Sequence, residues 1–528
     1  MDTNFSRPES RREFLKKAAL LAGAVALPEF STGCASMSQI DRLNIDYSRD
    51  VILNNCSVVD VKAGTVRNNA AIRMSHGKIA GIAERIDGAS QAYDVFDLGG
   101  MFVIPGLINA HCHSTMTGTM VYNPFNVMAY MRQMKRNYVL AVESGETTIR
   151  DMGALPNVLH GHIDDIENGT LAGPRVVHCN SILNIKGGHP DINPSDISIL
   201  AKPATLFTGD ITLDFRNMDE LRTKMRENAE NGASFIKLTV DNRSLICGRH
   251  EIPMYSREHL REIFNFAERR NLPVSCHNHM KYGFDRIIEY PIHSLEHTIF
   301  DDYMTDADVM MMREKNVSIV PTMIVASCLG FDEVFDTLPP EYNTEFIVNE
   351  MRLKREYLAT IAVNYCERAI HEDNMANIRF YRNMNCPELT RNGRFIPNPV
   401  LYFGMMMYGL ANIRKMRQAG VLIGCGTDAG VPFDYFGTLW REMEMLHRAG
   451  FTHQEVLRCA TVNNAKIIGM EGRVGALEPG TFADAVVLKD NPFEKIEAYR
   501  EPRLVFKGGK LLHTRATLVR DRNTLRAS

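Results

Sequence analysis

Two histidines separated by one residue follow a short apolar run in the stretch "MFVIPGLINAHCHSTM". The run is typical of a buried strand, and side chains two residues apart on an extended segment point to the same side. His111 and His113 can therefore reach one metal ion, whereas Cys112 between them points the other way. Because such a pair is more often packed or exposed than metal-bound, the rest of the chain must supply further ligands.

Four more residues suited to metal binding or proton transfer occur in separate apolar runs. Lys237 lies inside "SFIKLTV", where a charge is costly unless it is neutralised, paired or chemically modified. His277 lies in "PVSCHNH", His297 ends "HSLEH" and Asp428 lies in "IGCGTDAG". Taken singly, the lysine can extend to solvent, the aspartate can cap a helix and each histidine can bond a loop. Their position at the ends of separate strands favours one common site.

The middle of the chain alternates apolar strands with amphipathic helices, as in "SFIKLTV" followed by "SREHLREIFNFAERRN". Repeated strand-helix units predict a parallel α/β fold, and their number favours a (β/α)8 TIM-like barrel over residues 106–470. In such a barrel the chemistry lies at the carboxyl ends of the strands. Residues from about 330 to 405 are too long for an ordinary connection, so they predict a helical insertion near the pocket.

Short β-rich runs occur on both sides of this middle part. Residues 48–105 alternate them with Gly and Asn turns, and residues 471–515 repeat the pattern with a hairpin turn at Gly508-Gly509. We expect the two segments to form one small β-sandwich domain. The chain would leave this domain shortly before His111 and return to it near Glu471.

The charge balance argues against a nucleic-acid partner. The chain has 528 residues, with 60 Lys and Arg against 63 Asp and Glu, and a formal net charge of −3. No global basic field attracts nucleic acid, and the length allows a large core. We therefore expect a small-molecule substrate. The sequence is compatible with both a monomer and a homo-oligomer, because "FGTLWREMEML" can pack within the barrel or against a second subunit.

Residues 1–37 resemble a bacterial Tat export signal. Arg11 and Arg12 precede an apolar run, residues 18–27, that is too short to span a bilayer as a mature helix. We therefore expect export to the periplasm or cell envelope and no stable membrane span. "STGC" ending at Cys34 is similar to a lipoprotein cleavage box, although Ser31 stands where an aliphatic residue is usual, so a lipid anchor is one alternative. A cytoplasmic protein with an amphipathic arm is another.

The order H-x-H, Lys, His, His, Asp resembles the amidohydrolase superfamily, specifically its imidazolonepropionase-like and Xaa-Pro or Xaa-Arg dipeptidase-like branch with two metals. The segments "ETTIRDMGAL", "LNIKGGHPD", "IVPTMI" and "VGALEPGTFADAVVLKDNP" are similar to that branch as well. The likeness covers nearly everything from Asp50 to His513. One departure follows the lysine strand, where relatives often carry small or glycine residues and this chain has "TVDNRSLICGRH".

The resemblance implies a binuclear metal site at the strand ends. One divalent ion would be held by His111, His113 and Asp428, and the other by His277 and His297. Zn is the expected metal, with Mn or Fe as alternatives, because imidazole and carboxylate ligands suit all three.

The resemblance also implies the chemistry. Lys237, carboxylated to N6-carboxylysine, would bridge the two ions, which would explain a lysine in an apolar strand. A hydroxide shared by the ions would attack the scissile carbonyl, because the metals lower the pKa of bound water. Asp428 would take the proton and pass it to the leaving group, while His279 or His189 would stabilise the oxyanion. Glu296 is expected to orient its neighbours rather than act as a base.

We expect a metal-dependent hydrolase that opens an amide or cyclic amide bond in a small substrate such as a dipeptide or an N-acyl amino acid. The alternative is a ring-opening or ester-type hydrolase of the same fold, acting on a lactone, a cyclic ketone or a phosphotriester. Mononuclear deaminases are disfavoured because they lack the strand lysine. A non-catalytic binding protein is disfavoured because every ligand type is present.

Overall fold

The computed structural model describes residues 40, 43, 45–84, 93–119, 122–190, 208–243, 251–332, 338, 340–381, 399–521 and 524–528. The predicted signal region and Cys34 lie outside these residues. In chain order the strands are β1 (Asp50–Asp60), β2 (Thr65–Ser75), β3 (Lys78–Ala83), β4 (Tyr93–Asp97), β5 (Phe102–Pro105), β6 (Leu107–Cys112), β7 (Glu146–Asp151), β8 (Arg175–His178), β9 (Ile182–Ile185), β10 (Thr212–Phe215), β11 (Ile236–Thr239), β12 (Val274–His277), β13 (Ser294–Glu296), β14 (Ser318–Val320), β15 (Ala485–Leu488), β16 (Leu504–Lys507), β17 (Lys510–Thr514), β18 (Leu518–Asp521) and β19 (Thr524–Ala527).

Helices separate most of the strands between β6 and β15. They are α1 (Val127–Glu143), α2 (Pro156–Glu167), α3 (Met218–Glu230), α4 (Arg257–Arg270), α5 (Lys281–Ile287), α6 (Asp306–Glu314), α7 (Met323–Leu329), α8 (Glu345–Thr360), α9 (Arg368–Tyr381), α10 (Pro399–Gly404), α11 (Leu410–Ala419), α12 (Leu439–Arg448), α13 (His453–Arg458) and α14 (Asn464–Ile467). Two five-residue π-helices, Met405–Gly409 and Cys459–Asn463, join α10 to α11 and α13 to α14.

The strands from the two ends of the chain belong to one sheet. Its order is β17-β16-β15-β5-β1-β4-β19-β18, with β2 paired to β1 and β3 paired to β2. Antiparallel pairing of β5 with β15, in which Ile104 lies opposite Val486, joins the N-terminal and C-terminal parts. Both faces carry buried apolar side chains, because Val103 and Val487 pack in one apolar cluster while their neighbours Ile104 and Val486 pack in the main core. Strands β18 and β19 follow residue 515 and join the same sheet; the predicted domain boundaries stay predictions.

Two parallel sheets form the middle of the chain. One has the order β10-β9-β11-β12-β13-β14 and the other has the order β6-β7-β8. The register places Thr239 beside His277 and His277 beside Glu296, so the carboxyl ends of β11, β12 and β13 are neighbours. Parallel strands connected by helices confirm the predicted mixed α/β class.

Helix α4 illustrates how local sequence builds this layer. The Ser256 side chain accepts the backbone N–H of His259 at the start of the helix, and Asn271 ends it with a left-handed φ of 52°. Leu260, Ile263 and Ala267 repeat at helical spacing and are buried. Burying each of the larger apolar side chains contributes about 1.5 to 3 kcal/mol. The predicted amphipathic helix is therefore present at this place.

Helices α8, α9 and α10 occupy the part of the chain predicted as an insertion, although residues 382–398 lie outside the description. Ile347 and Met351 of α8 pack with Phe403 of α10 and Val325 of α7 in one apolar cluster. Within the described residues, no helix has both the length and the apolar character required to cross a bilayer.

We predict that a buried histidine in α2 makes the protein less stable in acid. The His162 side chain packs edge-on against Tyr138 at 5.3 Å between ring centroids, and its Nδ1 is buried without a hydrogen bond among the described residues. Burial lowers the pKa of His162 from 6.5 to about 4. The unfolded state therefore binds more protons between these values, and stability falls as the pH drops through this window.

Replacing this imidazole by phenyl removes the titrating group and keeps an aromatic ring. We expect His162→Phe to recover about 1 to 3 kcal/mol of the stability that wild type loses between pH 7 and pH 4. Thermal unfolding followed by circular dichroism at pH 7, 5.5 and 4.5 measures this. Parallel pH curves for the two proteins would contradict the prediction.

Candidate metal centre

The two histidines of β6 converge on one carboxylate. The Nε2 atoms of His111 and His113 lie 3.2 and 3.1 Å from the same Oδ1 of Asp428. Cys112, between them, directs its Sγ to the carbonyl of Arg150 at 3.5 Å. The alternation of an extended strand therefore places both imidazoles on one side and the thiol on the other, as the spacing predicts.

The Nδ1 atom of each imidazole, on the side of the ring away from Asp428, contacts an outer partner. His111 Nδ1 lies 2.9 Å from Oε2 of Glu296, and His113 Nδ1 lies 2.8 Å from the carbonyl oxygen of Gly153. A carbonyl oxygen only accepts, so the Nδ1 of His113 carries a proton and its Nε2 is the nitrogen that faces Asp428. Outer partners of this kind orient histidines that bind metals.

Glu296 is a fully buried charged group. Its Oε1 accepts hydrogen bonds from the guanidinium of Arg150 at 2.7 Å and the hydroxyl of Ser294 at 2.6 Å. Burial alone raises the pKa of Glu296, but the Arg150 charge and the His111 hydrogen bond outweigh it and lower that pKa to about 2. Both of its oxygens are engaged, which supports an orienting role rather than that of a base.

A second group of imidazoles lies beside the first. The ring centroid of His297 is 4.5 Å from that of His277, 4.3 Å from that of His279 and 4.7 Å from that of His111. The His189 ring lies 4.7 Å from the His277 ring, and burial lowers the pKa of His189 to about 4. The structure thus brings together every histidine that the sequence singles out.

Lys237 is buried in the middle of β11, with only 2% of its surface exposed. Its Nζ makes no hydrogen bond among the described residues. Burial lowers the pKa of Lys237, although the charges of Glu296 and Asp428 act in the opposite direction. A buried amine without a partner is unfavourable unless another group binds it.

The donor set fits divalent metal ions. Potential ligand atoms lie within 4.8 Å of one another in two groups: His277, His279 and His297, and His111, His297 and Asp428. Nε2 of His111 and Nε2 of His277 each lie 3.2 Å from a carboxylate oxygen, that of Asp428 and that of Asp241, but without the alignment of a regular hydrogen bond, and the lysine Nζ has no hydrogen bond among the described residues. Buried nitrogen lone pairs of this type are what Zn, Mn or Fe would satisfy. The groups differ from the predicted ligand sets, since His297 appears in both and His279 joins one.

The backbone at the centre is strained. His297, Asp428 and Thr322 adopt left-handed φ angles of 73°, 70° and 45°. Side chains other than glycine rarely adopt this region, and such residues occur preferentially at functional sites. Each of the three follows the end of a strand or an extended segment, so the turn directs its side chain into the centre.

Sequence reasoning missed two polar residues at the centre. Asp241 lies two residues after β11, fully buried, with its Oδ2 3.1 Å from Nδ1 of His279 and 3.2 Å from Nε2 of His277. Thr322 follows β14 and places its Oγ1 2.6 Å from Nδ1 of His297. The signal for Asp241 is present, because its carboxylate replaces the small residues expected after the lysine strand. Thr322 has no such signal.

Glu442 binds the first turn of α7, which begins directly after Thr322. The backbone N–H groups of Met323 and Ile324 donate to the two carboxylate oxygens of Glu442 at 3.0 and 2.7 Å. These N–H groups belong to the first turn of the helix and have no partner inside it. The carboxylate of α12 therefore fixes the segment that orients His297.

Removing the Thr322 hydroxyl is expected to weaken the centre. Thr322→Val keeps the branched shape at the strained backbone but deletes the bond to His297, so metal affinity and kcat/KM should each fall by roughly 10- to 100-fold. Chelator competition and steady-state kinetics measure the two effects. Thr322→Ser retains the hydroxyl and should stay close to wild type; an equal loss in both variants would count against an orienting role.

Parallel strands that end in buried histidines and a carboxylate are the arrangement of metal-dependent hydrolases. Residues 102–512 match the amidohydrolase family, and the chain therefore belongs to that family. The predicted superfamily and the prediction of an amidohydrolase-type enzyme are confirmed.

Relatives with known names show the same architecture. The chain is 25% identical to ochratoxinase of Aspergillus niger over 441 residues, which cover 78% of this chain and 75% of that protein. It is similar to the solved structure of a Xaa-Pro dipeptidase with methionine bound in the active site, with a TM-score of 0.65, 22% identity, and coverage of 88% of this chain and 100% of that chain. The crystal structure of A. niger ochratoxinase aligns with a TM-score of 0.60, 22% identity, and coverage of 89% and 96%. These likenesses are consistent with the predicted branch.

Proposed function

We propose that the chain is a metal-dependent hydrolase that cleaves an amide C–N bond in a small substrate such as a dipeptide or an N-acyl amino acid. The observation that carries the proposal is the convergence of His111, His113 and Asp428 beside four further imidazoles and a buried lysine Nζ that makes no hydrogen bond among the described residues. Relatives named for a dipeptidase and an ochratoxinase support an amide substrate over the lactone, cyclic ketone or phosphotriester alternative.

Lys237 is the residue expected to link two metal ions as a carbamate. Burial favours the neutral amine, which is the form that adds carbon dioxide through its lone pair and releases one proton. The resulting carbamate is an anion with two oxygen ligands. The carbamate would give the buried Nζ of Lys237 a bonding partner. Its two oxygens would bind the metal ions held by the two histidine groups.

The middle sheets support a closed (β/α)8 barrel. Residues 422–425 connect their edges, because Ile319 N donates to Leu422 O and Ala110 N donates to Cys425 O, each at 3.0 Å. The two sheets also meet between β8 and β11, because Ser234 N, two residues before β11, donates to His178 O at the end of β8 at 2.8 Å. The ten-stranded sheet supports the proposed β-sandwich, since many of its buried apolar residues form a cluster of their own, while others, such as Ile104 and Val486, pack in the main core.

The residues at the centre have separate roles in this proposal. When bound, two divalent ions would lower the pKa of water and polarise the scissile carbonyl. Asp428 accepts the proton of the attacking water and delivers it to the leaving nitrogen. His189 or His279 stabilises the oxyanion of the tetrahedral state. The buried surroundings keep bulk water away from these transfers.

A substrate panel tests the reaction. N-acyl amino acids and dipeptides are assayed beside lactones and cyclic diketones, before and after treatment with a chelator and reloading with Zn. We expect hydrolysis of amides that disappears with the chelator and returns with the metal. Turnover of lactones or diketones alone would favour the ring-opening alternative. Amide hydrolysis that survives complete metal removal would exclude the metal-dependent mechanism.

We also propose that the protein is exported through the predicted Tat signal and acts in the periplasm or cell envelope. The twin arginine Arg11-Arg12 followed by a short apolar run supports this location. Export that persists after Arg11→Lys with Arg12→Lys, measured by cell fractionation, would argue against a Tat route.

A further inference from the structure

Asn109 is a buried polar residue next to the candidate metal ligands, and the proposed reaction does not use it. It lies two residues before His111 in β6, so the alternation of the strand places the two side chains on the same side. Its surface is only 1% exposed. A buried side-chain amide is unfavourable unless both of its ends are hydrogen-bonded, so the partners of Asn109 indicate what it holds in place.

The side-chain amide of Asn109 binds both chain segments that carry the group of His111 and Asp428. Its Oδ1 accepts the backbone N–H groups of His111 at 3.3 Å and of Thr427 at 3.2 Å. Its Nδ2 donates to Oγ1 of Thr427 and to Oε2 of Glu146, each at 3.1 Å. A backbone N–H only donates, so the two backbone donors assign the oxygen and the nitrogen of this amide without reference to any titrating group.

Thr427 directly precedes Asp428, which lies at a strained turn. Asp428 has a left-handed φ of 70°, and its backbone N–H donates to the His111 carbonyl at 2.9 Å. The Oγ1 of Thr427, which accepts the Asn109 amide, also accepts the backbone N–H of Ala429 at 3.0 Å. Hydrogen bonds therefore hold the chain on both sides of Asp428. A backbone in this region persists only where its surroundings fix it.

We propose that Asn109 is a positioning residue that fixes the turn of Thr427 and Asp428 against His111. The carboxylate of Asp428 and the imidazole of His111, whose Oδ1 and Nε2 lie 3.2 Å apart, are thereby placed to bind one metal ion. Asn109 acts through Thr427 and does not itself bind the metal or the substrate. For its effect on turnover the inference rests on the proposed metal-dependent hydrolysis, whereas its effect on the turn rests on the hydrogen bonds alone.

Asn464 joins the same two segments at a neighbouring point and provides a matched control. Its Oδ1 accepts the backbone N–H of Cys425 at 3.0 Å, and its Nδ2 donates to the carbonyl oxygens of Ile108 and Cys425, each at 2.6 Å. It is fully buried, as Asn109 is, but none of these bonds reaches Thr427 or Asp428. Loss of either asparagine removes a buried amide from between the segments, and only loss of Asn109 releases the turn.

Hydrogen-deuterium exchange of the full chain tests the turn itself, and its readout does not depend on catalysis. We expect Asn109→Ala to speed the exchange of the backbone N–H groups of residues 427–430 by about tenfold or more, because the bonds that hold this turn are lost. Asn464→Ala should lower the melting temperature but leave that exchange close to wild type. Unchanged exchange in folded Asn109→Ala, or equal acceleration in both variants, would overturn the inference whether or not any substrate is hydrolysed.

Variants of Thr427 test the same connection through a smaller change. Thr427→Val deletes the hydroxyl, and the apparent affinity for Zn²⁺, measured by chelator competition, should fall by roughly 10- to 100-fold, as in Asn109→Ala. Thr427→Ser keeps the hydroxyl and should stay close to wild type. Because both changes break one contact, the double variant Asn109→Ala with Thr427→Val should lose little more than either single variant.

The Zn²⁺ measurements also separate this inference from the proposed function. These losses of affinity in a protein that hydrolyses no substrate would support the positioning role and contradict the proposed hydrolysis. Fully additive losses in the double variant, or a loss in Thr427→Ser equal to that in Thr427→Val, would overturn the positioning role even if the wild type is an active hydrolase.

Discussion

Lys237→Ala is expected to lose about 1,000-fold in kcat/KM and at least half of the bound metal. The lysine side chain is buried in β11, and as a carbamate it would be the group shared by both ions. A metal ion contributes several kcal/mol to charge stabilisation in the transition state, and each 1.4 kcal/mol is a factor of ten in rate. Loss of the bridge therefore affects both binding and turnover.

Elemental analysis of the purified proteins measures the first effect. We expect about two equivalents of metal per chain in wild type and one or fewer in Lys237→Ala. Small carboxylates such as formate or acetate offer the same two oxygen ligands as the carbamate and should restore part of the activity. One equivalent in wild type that is unchanged in the variant would exclude the binuclear mechanism.

Lys354→Ala is the matched control for removing a buried lysine. Lys354 of α8 is 1% exposed, donates to the carbonyl of Gly330 and lies 3.6 Å from the centroid of the Phe331 ring. Its removal should lower the melting temperature, because a well-packed side chain and its hydrogen bond are lost. The metal content per folded chain should stay at the wild-type value. A loss of metal in this variant as well would show that the effect of Lys237→Ala is not specific.

Asp428→Asn is expected to lower kcat by about 100- to 10,000-fold while leaving the fold intact. General acid-base groups contribute rate factors of this size. Asp428 has a left-handed φ of 70°, and asparagine is one of the few residues that tolerate this region, so the substitution changes the charge with little backbone strain. Burial raises the pKa of Asp428, but the charges and hydrogen bonds of His111 and His113 outweigh it and hold that pKa well below its usual range.

Asp434→Asn provides a control six residues further along the chain. Asp434 is fully buried, and its Oδ2 has no hydrogen bond among the described residues. Burial raises the pKa of Asp434 well above its usual range, which favours the neutral acid, and asparagine is neutral as well. Kinetics and circular dichroism should show near-normal kcat for Asp434→Asn and normal folding for both variants. Near-normal kcat in Asp428→Asn would remove Asp428 from the proton transfers.

The two candidate ligand groups share one residue, His297. This residue lies in both candidate ligand groups, and its Nδ1 is fixed by Thr322, which precedes α7. Glu442 of α12 binds the first N–H groups of α7 from a position 119 residues away in the sequence. The contact between Glu442 of α12 and the start of α7 therefore helps to orient the His297 imidazole through Thr322.

The residues that could bind metal were predictable from local sequence. The H-x-H spacing on an extended segment requires both imidazoles to face one side, and Lys237 in an apolar strand requires an unusual partner. The strand-helix alternation predicts parallel strands, and parallel strands place their carboxyl ends at one edge. These inferences need only strand geometry and the cost of burying charge, both of which act over a few residues.

The grouping of those residues and the choice of their outer partners depended on tertiary structure. Local sequence does not show that His297 approaches both His111 and His279, because the ring distances depend on how β6, β12 and β13 are placed side by side. It likewise does not show which carboxylate holds which imidazole, because Glu296 reaches His111 across 185 residues of chain. The sequence thus determined the ligand types and the class of enzyme. Only the packing of distant strands decided their geometry, because hydrogen bonds between side chains require ångström-scale placement that no local pattern encodes.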